Sequence, residues 1–219
     1  MTESGKVPFF SVVITTFNRR YVIERAINSV LKQSFKDWEC IIVDDGSTDN
    51  TDSLALDYCN NHQNIKYIYQ SNRGQGLARN TGILAASGLF VTFLDSDDEY
   101  LLNHLEYQWK VLVSYPDTEF LHSNALIIGD PYVPDMYKPR KKIHINECVV
   151  GGTFVVKKDI ALRIGGYTNV KYGDDVIFYQ KARENQLVIR KTDMKTYKYY
   201  RDSKDSICNI QNLNKKVKE

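Results

Sequence analysis

A chain of 219 residues with 42% hydrophobic and 26% charged side chains has a globular composition, enough for one large domain or two small ones. Its 29 Lys and Arg against 27 Asp and Glu leave a net charge of +2, which excludes a field strong enough to make nucleic acid or a membrane surface the default partner. No apolar run approaches the roughly 18–20 residues of a membrane span, and MTESGKVPFF lacks the pattern of a secretory signal. Four cysteines without a CxxC pair predict reduced thiols, no zinc site and a cytoplasmic location.

Taken in chain order, the first hundred residues alternate strand-like and helix-like segments, the pattern of an α/β layering with a mainly parallel sheet. FFSVVITTF is apolar and β-branched and predicts a strand; YVIERAINSVLKQ follows with Val22, Ile23, Ala26, Ile27, Val30 and Leu31 on one helical face. WECIIVDD is a second strand, and Ser47, Thr48 and Asp49 are N-cap candidates for the helix after it. IKYIYQ, GLARNTGILAAS and LFVTFLD continue as strand, helix and strand, and LLNHLEYQWKVLVSY reads as a helix that stops before Pro116. EFLHSNALII is a strand. Residues 129–146 carry Pro131, Pro134, Pro139 and the cations Lys138, Arg140, Lys141 and Lys142 without periodicity, which predicts a long loop, functional or disordered. ECVVGGTFVVKKDIALRIGGY reads as strand, turn and short helix, DDVIFYQKARENQ as a helix and YKYYR as a late strand.

In open parallel sheets ligands sit at the carboxyl ends of the strands. Polar residues recur at those ends: Thr16 and Asn18, then Asp44 and Asp45, then Arg73 and Gly74, and finally Asp95, Asp97 and Asp98. Four such groups on one edge predict a single ligand site. Three carboxylates within four positions repel one another unless a cation neutralises them. Asp95-Ser96-Asp97 is a DxD pattern whose hard oxygens suit Mg²⁺ or Mn²⁺ bridged to a diphosphate. A calcium loop over the same residues fails because Tyr100 stands where glycine is needed and Leu101 and Leu102 call for burial. A dinucleotide loop at Gly74 and Gly76 fails because Arg79 replaces the third glycine. DSDDE also resembles the nucleophile motif of haloacid-dehalogenase-like phosphatases, but Glu99 stands where that family has Thr or Val. Asp174 and Asp175 have a simple reading as a pair stabilising a helix N-terminus.

FFSVVITTFNR, IIVDDGSTDNT, NRGQGLARNTGILAASG and FLDSDD together resemble, in order and context, the family 2 glycosyltransferases of GT-A fold. The resemblance is close over the first hundred residues and looser to about residue 208. It implies a three-layer α/β/α sandwich in one domain spanning 1–219, with about 1–115 binding the nucleotide and about 116–219 forming the acceptor side. It implies an inverting transfer from a nucleotide diphosphate sugar, with uridine expected from Asp45, to an acceptor hydroxyl in polysaccharide or glycolipid assembly. Thr16, Phe17 and Asn18 would line the base site, with Asp44 and Asp45 beside them, and Arg79 would face the donor. Asp95 would contact the ribose side and Asp97 would bind Mn²⁺ or Mg²⁺. YGDDVIFYQKA resembles the segment whose second carboxylate, here Asp175, is the base, with Asp174 and Gly152 lining the substrate site. The implied acceptor is a saccharide or a lipid-linked saccharide, so a peripheral contact between the 138–142 cations and the membrane is a further expectation. In YYRDSKDSICN, Ser203 stands where relatives carry His, so metal or diphosphate would be held by another group. A nucleotide-sugar-binding module without catalysis is the alternative if Asp175 lies far from any acceptor space.

Overall fold

Seven consecutive buried residues, Phe10–Thr16 (β1), run through the centre of the molecule, as expected of a parallel strand covered on both faces. The computed structural model describes residues 7–135, 138 and 140–201. After β1 come α1 (Ile23–Leu31), β2 (Trp38–Asp44), α2 (Thr51–Asn61), β3 (Ile65–Tyr69), α3 (Gln75–Ala85), β4 (Phe90–Asp95), β5 (Glu99–Tyr100), α4 (His104–Ser114) and β6 (Phe120–Ile128). The later elements are β7 (Tyr132–Pro134), β8 (Lys142–His144), β9 (Val155–Lys157), α5 (Lys158–Arg163), α6 (Asp174–Glu184) and β10 (Ile189–Tyr200), with 3₁₀ turns at Ile145–Glu147 and Gly151–Thr153.

Eight strands form one mainly parallel sheet in the order β3-β2-β1-β4-β9-β6-β10-β5. Only β9, between β4 and β6, and β5, at the far edge, run antiparallel to their neighbours among the described residues. The sheet therefore mixes strands from before and after residue 115. Side chains alternate across it: Phe10, Val12 and Ile14 meet α1, α2 and α4, while Val13 meets α3 and joins the core shared with α5 and α6. The result is a three-layer α/β/α sandwich. On α1, Ile23, Ala26, Ile27 and Val30 are buried as the helical period requires, with Val22 just before the helix. A Cβ added to Gly82 would lie 2.3 Å from a Val13 methyl, so α3 rests on β1 at a distance that leaves no room for a side chain.

Five local expectations change. Thr51 opens α2 with Asn50, none of the three candidates, at the N-cap position and making no side-chain cap bond; Asp49, one residue earlier, accepts from the Thr51 N–H at 3.2 Å, and Ser47 and Thr48 bond to Asn18. Residues 129–146 include an antiparallel ribbon, β7 paired with β8, invisible in the sequence because each strand has three residues. The 3₁₀ turn at Gly151–Thr153 precedes β9 rather than following it, and β10 begins well before YKYYR, at Ile189. Leu102, expected to be buried, is 64% exposed. Ser203 and Cys208 lie outside the described residues.

Candidate active site

The carboxyl ends of β1, β2, β3 and β4 converge on one edge, and the loops there are fastened by charge-assisted bonds. Asp45, nearly fully buried, accepts from the Gln70 side chain (2.7 Å) and from the backbone N–H groups of Arg73 (2.9 Å) and Gly74 (2.8 Å). One carboxylate thus fixes the entire turn between β3 and α3. Asn18, in the left-handed region at φ 53°, donates its N–H to Ser47 Oγ (2.8 Å) and accepts from Thr48 N–H (2.8 Å), tying the β1 loop to the β2 loop. Asp44 has no exposed surface; its carboxylate accepts from Ser47 N–H and from the Tyr67 hydroxyl. Through these bonds Asp44 braces the loop. Thr16 is buried with its hydroxyl unpartnered, and the next residue, Phe17, presents a ring that is 44% exposed.

Arg79 is the hub. It projects from α3, 3% exposed, and donates one guanidinium nitrogen to Asp95 Oδ1 and the other to Asp174 Oδ2, both at 2.8 Å. Its guanidinium also sits 5.0 Å from the centre of the Tyr167 ring. A cation this buried is stable only with paired anions, and the two partners come from opposite sides of the site: the end of β4 and the start of α6.

The Asp95–Asp98 loop has unequal carboxylates. Asp95 Oδ1 accepts from Arg79 and from Gln75 (2.8 Å). Asp98 is fully buried and accepts from the Tyr197 hydroxyl and the Tyr200 N–H (2.8 Å); burial, then Asp97 and Asp95, push its carboxyl well up. Burial, then Asp95, push the Asp97 carboxyl up to about 6, against the opposing pull of Arg19. Asp97 thus carries a charge that its surroundings leave poorly compensated. Among the described residues no cluster of three or more His, Cys, Asp or Glu is arranged to hold a metal. Two carboxylates fit Mg²⁺ or Mn²⁺ nonetheless, because such ions are commonly held by one or two carboxylates with substrate phosphates and water completing the shell.

Asp175 opens α6 beside Asp174. Its Oδ2 accepts from Gly151 N–H (3.2 Å) and its Oδ1 from Val176 N–H (2.8 Å). Burial, then Asp174, raise its carboxyl to about 6, while Arg79 pulls it down. It lines a cavity of about 350 Å³ together with Val133, Ile145, Tyr172, Val176 and Tyr179, so the β7–β8 ribbon forms a wall of the space in front of it. Gly152 packs closely on its neighbour: a Cβ there would meet the Tyr197 ring at 2.3 Å. Gln75 and Tyr197 belong to this network yet escaped the sequence reading, while Gly151, read there as allowing close approach, donates its N–H to Asp175. Tyr197 is one of three tyrosines within YKYY, and no period distinguishes it from the others.

These features define a class: an α/β transferase of GT-A type. Solved structures share the fold. The crystal structure of Staphylococcus aureus TarS 1–349 in complex with UDP-GlcNAc has a TM-score of 0.75 at 24% identity, covering 91% of this chain and 60% of that one. A mannosyltransferase from Pyrobaculum calidifontis in complex with GDP-Man and Mn²⁺ has a TM-score of 0.74 at 19% identity, covering 98% of this chain and 65% of that one. The family profile described as "Glycosyl transferase family 2" matches residues 11–145, and the chain belongs to that family. It is 30% identical over 182 residues to UDP-Glc:alpha-D-GlcNAc-diphosphoundecaprenol beta-1,3-glucosyltransferase of Escherichia coli, covering 81% of this chain and 71% of that protein. It is 45% identical over 97 residues to GalNAc(5)-diNAcBac-PP-undecaprenol beta-1,3-glucosyltransferase of Campylobacter jejuni, covering 43% of this chain and 31% of that protein. Family membership displaces the phosphatase reading.

Proposed function

We propose that the chain transfers a sugar, with inversion, from a UDP-sugar to a hydroxyl of a lipid-linked saccharide, with Asp175 as base and Asp97 holding Mn²⁺ or Mg²⁺. The observation that carries this reading is the Arg79 bridge, which brings Asp95 on the donor side and Asp174, next to Asp175, into one ion-pair network. The uridine preference draws on the buried Asp45 at the base end and on the UDP-sugar in the name of the Escherichia coli relative. The lipid-linked acceptor draws on the names of both relatives.

Each residue then has a task. Phe17 offers an exposed ring beside Thr16, and Asp45 holds the turn against which the base would lie. When bound, the divalent ion supplies Lewis-acid stabilisation of the leaving diphosphate. Asp95, steadied by Arg79 and Gln75, keeps one carboxylate oxygen for the ribose side or the ion. Asp175 takes the proton from the acceptor hydroxyl as that oxygen attacks the anomeric carbon from the face opposite the diphosphate. A carboxyl near 6 is still mostly ionised at neutral pH and more basic than an ordinary aspartate. Because Asp175 borders a cavity rather than packed interior, a binding module without catalysis is the weaker reading. Among the described residues no helix is long and apolar enough to cross a membrane.

Calorimetric titration with UDP, GDP and dTDP, each with Mn²⁺ and with chelator, on wild type and Asp97→Ala, tests the donor site. The expected result is binding of UDP that needs both Mn²⁺ and Asp97. Folded protein that binds no nucleotide in a metal-dependent way would overturn the proposal.

A further inference from the structure

The cavity in front of Asp175 does not end there. A second cavity of about 620 Å³ shares Glu147, Tyr179 and Arg183 with the first and continues to Lys191. The two form one groove along α6, and its ends differ in chemistry. The near end is apolar and aromatic around the Asp175 carboxylate. The far end carries Arg183 and Lys191, both exposed. Glu147 is the carboxylate on this stretch of wall. His122, its ring 5.2 Å from that of Tyr179, lines the same end; burial, then Lys191, lower it to about 4, so at neutral pH it offers hydrogen bonds without charge. Eight helical residues separate Asp175 from Arg183, about 12 Å along the helix axis.

We infer that this far end is an anion subsite for the acceptor: Arg183 and Lys191 hold a phosphate group borne by the acceptor while Asp175 faces the hydroxyl to be glycosylated. The inference rests on the proposed transferase reading and deepens it. The span leaves room for one sugar ring between the attacked hydroxyl and the phosphate. A guanidinium and an ammonium lining one cavity suit a phosphate, one through a planar fork and the other as a point charge. The phosphate could belong to a lipid-linked diphosphate or to a phosphorylated saccharide, and the chemistry at Arg183 and Lys191 is the same for both.

The test uses inorganic pyrophosphate and farnesyl diphosphate as probes, titrated into the full chain in chelator so that a metal-dependent donor site stays silent. Wild type is expected to bind pyrophosphate, with affinity at least about tenfold weaker in the Arg183→Ala/Lys191→Ala double variant, unchanged in Asp97→Ala and largely restored by Arg183→Lys/Lys191→Arg. Tighter binding of the prenyl compound assigns the phosphate to a lipid carrier; equal binding assigns it to a polar saccharide, and both outcomes support the subsite. No binding to wild type, or binding that survives the double variant, overturns it. Failure here leaves Asp97-dependent UDP binding untouched, so the two readings fall separately.

Discussion

The proposed donor and acceptor sides of this molecule are built by different means. On the donor side four adjacent parallel strands end at one level, and their loops are fastened by bonds with little freedom. Asp45 alone takes three, Asn18 two and Asp44 two. On the acceptor side the walls are two 3₁₀ turns, a three-residue ribbon and the start of α6, with cavities between them. Among the residues that join the two sides are Arg79 and Tyr197, which packs on Gly152 and donates to Asp98. A fastened site suits a ligand of fixed shape, while a loop-built site sets which partner is accepted. Nucleotide recognition and acceptor choice can therefore vary separately.

If that division holds, the largest effect comes from the acceptor side alone. Asp175→Asn should lower transfer by about 10²–10⁴-fold while leaving Mn²⁺-dependent UDP binding intact; a parallel loss of nucleotide affinity would break the division. In the wild type the rate should rise with pH through about 6 and level off above it, because the Asp175 carboxyl sits at about 6 and acts as base only when ionised. Next comes the joint itself. Arg79→Met strands Asp95 and Asp174 without their cation and should cost about 3–5 kcal/mol of stability in urea unfolding. It should also move the pH limb upward, since Arg79 holds the Asp175 carboxyl down. A variant as stable as wild type would show that the network is dispensable.

Gly152→Ala drives a methyl into the Tyr197 ring and should destabilise by about 1–3 kcal/mol; an unchanged unfolding midpoint would mean that Tyr197 is not the clamp described. The smallest effect belongs to the donor side. Asp49→Ala removes the bonds its carboxylate accepts from the Thr51 and Arg20 N–H groups and should cost about 1 kcal/mol, with acceptor kinetics unmoved.

The donor side was largely legible in the sequence because its elements are long and their periods plain. FFSVVITTF and WECIIVDD could only be buried strands, and each ended in the polar residues that form the site. What sequence could not tell was direction. Asp44 and Asp45 are adjacent carboxylates on one strand end, yet one is sealed behind the wall while the other brackets a neighbouring loop. The acceptor side resisted reading because β5, β7, β8 and β9 have two or three residues each, too few for any period to show. Tyr197 and Gly152 became meaningful only together: the missing side chain of one is the seat of the other, and that pairing spans distant segments of the chain.

The absence of a side chain at Gly82 has a mechanical consequence. Arg79 stands three residues before it on α3, so the height of that helix above β1 fixes where the guanidinium reaches. A methyl at Gly82 would act as a shim, lifting the helix and pulling one arm of the bridge away from Asp95 or Asp174. The defect would begin in the floor of the molecule, with no ligand-touching residue altered. It would surface as misaligned chemistry: the spacing between two carboxylates from distant parts of the chain is gauged by a gap left empty.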